Sequence, residues 1–178
     1  MDALKLIYKY YTDDDEQRRL LIAHSRKVAD RALLIARSHP ELNVDCVFTE
    51  EAAMLHDIGI KWCHAPSIFC YGEEHYIRHG IIGAELLRKE SLPRHARVCE
   101  RHTGTGLTAQ QIIAQNLPLP PKDMLPETIE EQVICYADKF YSKSNPQHEA
   151  TVEEVVSSLS RFGNDVTTTF LRWASLFE

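Results

Sequence analysis

At 178 residues, with 44% hydrophobic and 26% charged content, the chain is long enough to bury one substantial core and too short for two independent ones. A formal net charge of -6 leaves no basic stripe for a nucleic-acid backbone, which argues against a long polynucleotide partner and leaves a small anion held through metal compatible. Cys46, Cys63, Cys70, Cys99 and Cys135 follow no disulfide spacing, no secretory leader pattern opens the sequence, and no apolar run approaches the ~20 residues that span a bilayer; the expectation is a reduced, cytoplasmic protein without a membrane partner.

Taken in chain order, the predicted elements are helical. From about Asp13 to Ser38, Leu20, His24, Val28, Ala32 and Ile35 recur at helical steps along one face, turning His24 toward the core. A second helix is expected from about Val44 to Asp57, stopped by Gly59 in a left-handed conformation. Trp62 to Glu74 has no sustained period and reads as irregular turns. Helices follow from about His79 to Glu90 and from Pro93 to about His102, the second broken by Gly104 and Gly106.

A short helix near Thr108 to Asn116 leads into a connection through Pro118, Pro120, Pro121 and Pro126, where lost backbone donors exclude a central strand. Thr128 and Glu131 suggest a capping box for a long helix that aligns Ile134, Asp138 and Tyr141. Thr151 with Glu154 caps another helix ended by Gly163, and Asp165 is placed to cap a last one through Trp173 and Phe177. The fold class is all-α: one domain over 1–178, its core at about 20–142 and its C-terminal helices at about 149–178.

Chemistry concentrates at His56-Asp57, which closes the apolar run Glu51-Ala52-Ala53-Met54-Leu55 and precedes Ile58-Gly59. Adjacent nitrogen and oxygen donors suit a metal ion, and His24, His79, His102 and Asp138 offer further donors on separate segments. Inward-facing carboxylates at positions 57 and 138 are costly unless paired, hydrogen-bonded or bound to cations. Asp57 is the natural bridge between two ions. Taken singly, His24 or His102 reads as an ordinary core or helix-end histidine; the joint pattern is what carries weight.

This pattern, a histidine, a His-Asp doublet and a distal aspartate on a late helix, resembles the HD-domain metal-dependent phosphohydrolases. Leu55-His56-Asp57-Ile58-Gly59 matches the HDIG variant, and His79 and His102 match the extra histidines of its dinuclear branch. The resemblance covers roughly Leu20 to Ser142 and implies a single HD-domain helical bundle. It implies that His24, His56, Asp57 and Asp138 hold a first ion, that Asp57 is shared, and that His79 and His102 complete a second. His56 and Asp57 would be central to catalysis, with two divalent or redox-active ions, iron or manganese, as cofactors.

The implied reaction is attack of a metal-bridging hydroxide on a phosphate ester or anhydride of a small nucleotide-like molecule. Lys61, Arg78, Arg101 and Lys143 lie near ligands in sequence and are the expected phosphate-binding cations. Ile60 stands where the cyclic-dinucleotide phosphodiesterase branch has lysine, and no Gly-Tyr-Pro tripeptide follows, which argues against cyclic di-GMP and toward compact stand-alone HDIG proteins, including those similar to symmetrical dinucleoside tetraphosphate hydrolases. Dinuclear-iron oxygenation within the same superfamily, or noncatalytic nucleotide sensing, are the alternatives. His75 and His64 read as solvated loop residues, His39, His95 and His148 as surface residues, and Cys63, His64 and Cys70 as a poor match to any zinc spacing. Subunit number is not legible.

Overall fold

Aspartate caps start the first three long segments of the chain. In the computed structural model, which describes residues 1–178, Asp2, Asp15 and Asp45 each accept a backbone N–H three residues on. They thereby begin α1 (Ala3–Tyr10), α2 (Glu16–Ser38) and α3 (Cys46–Leu55). α1 lies in a stretch for which the sequence pattern offered no expectation. After α3 come a tight 3-10 turn at Ile58–Trp62 and a two-residue antiparallel hairpin, β1 (His64–Ala65) with β2 (Cys70–Tyr71). Strands this short leave no alternation to detect.

The remaining helices are α4 (His79–Lys89), α5 (Pro93–Arg101), α6 (Ala109–Ala114), α7 (Ile129–Asp138), α8 (Val152–Leu159) and α9 (Asn164–Phe177). The all-α expectation holds. Gly104 and Gly106 take positive φ after α5, and the capping box of Thr151 with Glu154 forms. The box at Thr128 forms only halfway: Thr128 accepts the Glu131 N–H, but the Glu131 carboxylate turns to the Glu127 N–H and to Arg97. Asp165 does not cap α9. It falls inside the first turn, behind Gly163, where its charge still complements the helix dipole.

One continuous apolar cluster runs from Ala3 to Phe177. Leu21, Val28, Ala29 and Ala32 of α2 are fully enclosed in it, so the buried stripe is centred on Leu21 and not on half-buried Leu20. From the other side α9 contributes Phe170, Trp173 and Phe177, and the Tyr136 ring stacks on Phe170 at 5.0 Å. The C-terminal helices therefore brace α7, the helix that ends in Asp138. No helix is long and apolar enough to cross a membrane.

Glycine packing brings the histidine-bearing segments together. Gly59 does not adopt the expected left-handed stop; it is absent from the positive-φ residues and sits inside the turn at Ile58–Trp62. Its role is close approach, because a Cβ there would lie 2.1 Å from the His79 carbonyl oxygen and 2.5 Å from the Gly83 nitrogen. Gly80 does the same against α5, where a Cβ would lie 2.5 Å from the Cys99 carbonyl oxygen. These two contacts set how near Asp57, His79 and His102 can come.

Both Gly59 neighbours are backbone atoms of a packed helix and cannot step aside. Gly59→Ala should therefore cost about 2–3 kcal/mol of folding stability, the range typical of overpacking. Chemical denaturation with an unchanged slope will read that loss.

Candidate metal centre

Three helix C-termini converge on the centre. His56 and Asp57 follow the last residue of α3, His102 follows the last residue of α5, and Asp138 closes α7. Each such end carries roughly half a negative charge from its unpaired carbonyls, so the backbone itself favours a cation here. Asp138 thus sits at a helix end and not mid-helix as its sequence setting suggested, and Lys139 Nζ compensates it at 2.6 Å.

The donors form two groups that share Asp57. His24, His56, Asp57 and Asp138 place ligand atoms within 4.8 Å of one another, and so do Asp57, His79 and His102. The two Asp57 oxygens divide between them. Oδ2 lies 3.2 Å from both His24 Nε2 and His56 Nε2, while Oδ1 lies 3.4 Å from both His79 Nε2 and His102 Nε2. His24 Nε2 also lies 3.0 Å from Asp138 Oδ1. The side chain of Asp57 is fully buried.

Backbone carbonyls determine which way the imidazoles present their lone pairs. His56 Nδ1 donates to the Ala53 carbonyl at 2.6 Å, His79 Nδ1 to Tyr76 at 2.7 Å, and His102 Nδ1 to Cys99 at 2.8 Å. A carbonyl can only accept, so each Nδ1 carries a proton; the neutral His79 and His102 rings aim an unprotonated Nε2 at the centre, and His56 would do the same once its Nε2 proton leaves. His79 Nε2 and His102 Nε2 then stand 3.0 Å apart as two facing lone pairs. Asp57 Oδ1, buried, has no hydrogen-bond partner, while Oδ2 is met by the Lys143 ammonium. The His79 and His102 side is thus unsatisfied by protein alone, and the other side already holds a positive charge where a metal cation would sit. The residues therefore fit metal.

Charge balance points the same way. Burial opposes a proton on His56, yet Asp57 and hydrogen bonds to both aspartates outweigh it and push the ring up to about 9. Burial pushes His79 down to about 3 despite Asp57, and lowers His102 as well, so that pair supplies neutral donors. Burial would raise Asp57, but Lys143 and His56 hold it well below the usual carboxylate range.

Among the expected phosphate-binding cations, only Lys143 is brought to the centre, its Nζ 2.5 Å from Asp57 Oδ2. Lys61 reaches the Tyr10 carbonyl, Arg78 pairs with Glu74 and the Pro118 carbonyl, and Arg101 is held by Glu127, Glu131 and the Leu125 carbonyl. Proximity in sequence misplaced these three because each side chain points to a nearer carboxylate or carbonyl. Two neighbours escaped the sequence reading. Tyr76 stacks on the His79 ring at 4.8 Å, and Lys139 is largely enclosed, pairs with Asp138 and also donates to the His102 carbonyl. Lys139 adjoins Asp138 in sequence, but nothing in the pattern around Tyr76 signals its stacking.

Beside Asp138 a cavity of about 390 Å³ opens, lined by Ser67, Tyr76, Lys139, Ser142, Lys143 and Ser144 among others. The other histidines lie elsewhere. His75 is exposed and caps the turn at Tyr76–Arg78, and His64, His39 and His148 are outside the two donor groups. His95 is not a surface residue: it is buried against Phe48 and pairs with Glu51. Cys63 and Cys70 are buried while His64 is exposed, and they form no donor group.

The sequence matches the HD domain family over residues 21–142, which contain all six donors. The chain belongs to the HD domain family. It is 32% identical over 141 residues to a tRNA (cytidine(56)-2'-O)-methyltransferase of Thermoplasma volcanium, covering 79% of this chain and 36% of that protein. The same-named protein of Picrophilus torridus is 37% identical over 142 residues with the same shares. An uncharacterized protein of Methanocaldococcus jannaschii is 35% identical over 123 residues, covering 67% of this chain and 65% of that one. This HD domain chain thus spans about a third of the length of the two methyltransferases. In structure it is similar to the HD domain of the L. monocytogenes phosphodiesterase PgpH, with a TM-score of 0.56 over 99% of this chain and 95% of that one at 15% identity. The PgpH HD domain in complex with cyclic-di-AMP gives 0.52 over 89% of each at 16% identity. At such identities the likeness is one of fold.

Two outcomes follow for metal binding. His56 must release a proton before its Nε2 can ligate, so Mn2+ affinity at its group should rise by about tenfold per pH unit up to about pH 9, whereas the His79 and His102 pair, whose pKa values burial lowers, should show no such slope near neutral pH. Titration calorimetry in buffers of different ionisation enthalpy separates the two. His79→Ala should lose one of two ions by elemental analysis while retaining the other.

Proposed function

We propose that this chain is an HDIG-type, two-ion phosphohydrolase that cleaves a phosphate ester or anhydride of a small nucleotide-like substrate. The observation that carries this reading is the division of the Asp57 carboxylate between two histidine-bearing groups of metal-ligating donors. Bound ions at such spacing activate water at neutral pH and offset charge on phosphoryl oxygens.

The protein's own groups would position the substrate. Lys143 and Lys139 put positive charge at the floor of the adjoining cavity, and Ser67, Ser142 and Ser144 surround it with hydroxyls, an environment that suits a phosphoryl group. The cavity of about 390 Å³ suits a mononucleotide-sized ligand. Tyr76, stacked on His79, would hold that ring against substrate.

The PgpH HD domain, solved with cyclic-di-AMP, supports a nucleotide-like substrate for the fold. The methyltransferase relatives extend well beyond the matched portion, so their name does not by itself carry a tRNA-linked role to this chain. Here the net charge of -6 favours a small phosphorylated molecule.

Anaerobically purified protein loaded with Mn2+ or Fe2+ should release phosphate from at least one of a set of mono-, cyclic and dinucleotides. Asp57→Ala should lose the metal ions and about 4 kcal/mol of transition-state stabilisation, roughly a thousandfold in rate. His148→Ala, exposed and paired with Glu154, should leave both unchanged. Equal rates in the two variants would refute the assignment.

A further inference from the structure

Lys143 stands where a cation belongs. Its Nζ meets Asp57 Oδ2, the oxygen that faces His24 and His56, and not Oδ1, which faces His79 and His102. Its side chain is only 13% exposed, yet the residue lies on no helix. It belongs to a turn pinned by the bridge between Tyr141 and Glu149 and by a hydrogen bond from Lys27 to the Pro146 carbonyl. Lys27 lies one helical turn beyond His24 on α2, so the same helix carries a ligand and anchors the turn. The Lys143 side chain also lines the cavity that adjoins Asp138, together with Ser67, Ser142 and Ser144.

We propose that Lys143 has two alternative partners: it neutralises Asp57 when the His24, His56, Asp57 and Asp138 group is metal-free, and it binds substrate phosphate once an ion takes that group. The phosphate half of this proposal rests on the hydrolase reading above. An ammonium and a metal ion compete for the same buried carboxylate oxygen and repel each other there, so loading of that group weakens the hold on Lys143 and releases it. At the end of a flexible four-carbon stem, the freed ammonium has a cavity lined with hydroxyls into which to turn, and an anion there is its next partner. The His79 and His102 group faces the other oxygen, Oδ1, so an ion there would not take the place of the ammonium.

The signature is a pair of opposed effects from one substitution. In Lys143→Met, Mn2+ titrated into metal-free protein should bind the His56-containing group about fivefold or more tightly, because no ammonium has to leave. Inorganic phosphate titrated into the Mn2+-loaded variant should bind about tenfold or more weakly. The His79→Ala background isolates the affected group: there Lys143→Met should still tighten the remaining ion. In wild type, hydrogen exchange of residues 142–148 should change on Mn2+ loading.

Lys143→Arg, which retains the charge, should keep phosphate binding near the wild-type level, and this guards against a merely structural loss. Weakening of both ligands, no change in either, or tighter metal with unaltered phosphate binding would each overturn the proposal. Failure of the hydrolase reading looks different. Loaded wild type would then bind no phosphate and release none from any ester, while the Mn2+ arm of the experiment would still show whether Lys143 competes for Asp57.

Discussion

A fully buried carboxylate with one lysine ammonium against one of its oxygens and none against the other is the constraint around which this molecule is arranged. Asp57 lies at the negative end of α3, between four imidazoles whose nearest nitrogens are lone pairs or contested protons. Isolated charge in such a place is prohibitively costly. The fold resolves this only with positive charge, partly from Lys143 and a protonated His56, and in full with metal. The ends of α5 and α7 deepen the same negative potential.

Rigidity around that carboxylate comes from backbone packing more than from long side chains. Gly59 and Gly80 let the doublet's turn, α4 and α5 approach closer than any Cβ would allow. Histidine rings are oriented in turn by carbonyls of their own helical turns, at Ala53, Tyr76 and Cys99. Geometry for ligation is thus present before any ion arrives, which lowers the ordering cost of binding. On the far side, the aromatic contacts of Tyr136 with Phe140, Phe170 and Phe177 tie the last helix to α7 and so to Asp138.

The two donor groups differ in charge. One contains two aspartates and a histidine that retains its proton in their field; the other contains two neutral imidazoles and half of a shared carboxylate. A pair of ions bound here would meet unequal environments, the first more strongly neutralised than the second.

Helix class, the inward phase of His24 and the local setting of His56-Asp57 were all legible in the residues, because periodicity and caps are short-range properties of the chain. The grouping of six donors was accessible only through family resemblance, since they span 114 positions from His24 to Asp138. Side-chain destinations were another matter. Lys61, Arg78 and Arg101 neighbour ligands in sequence yet find partners elsewhere, and Gly59 serves contact with α4 instead of ending a helix, because those outcomes depend on which surfaces meet across the core. Sequence alone determined which donors the chain carries and which helices present them; tertiary packing decided how Asp57 divides its oxygens and which lysine faces it, because contacts between distant segments exist only once the helices have docked.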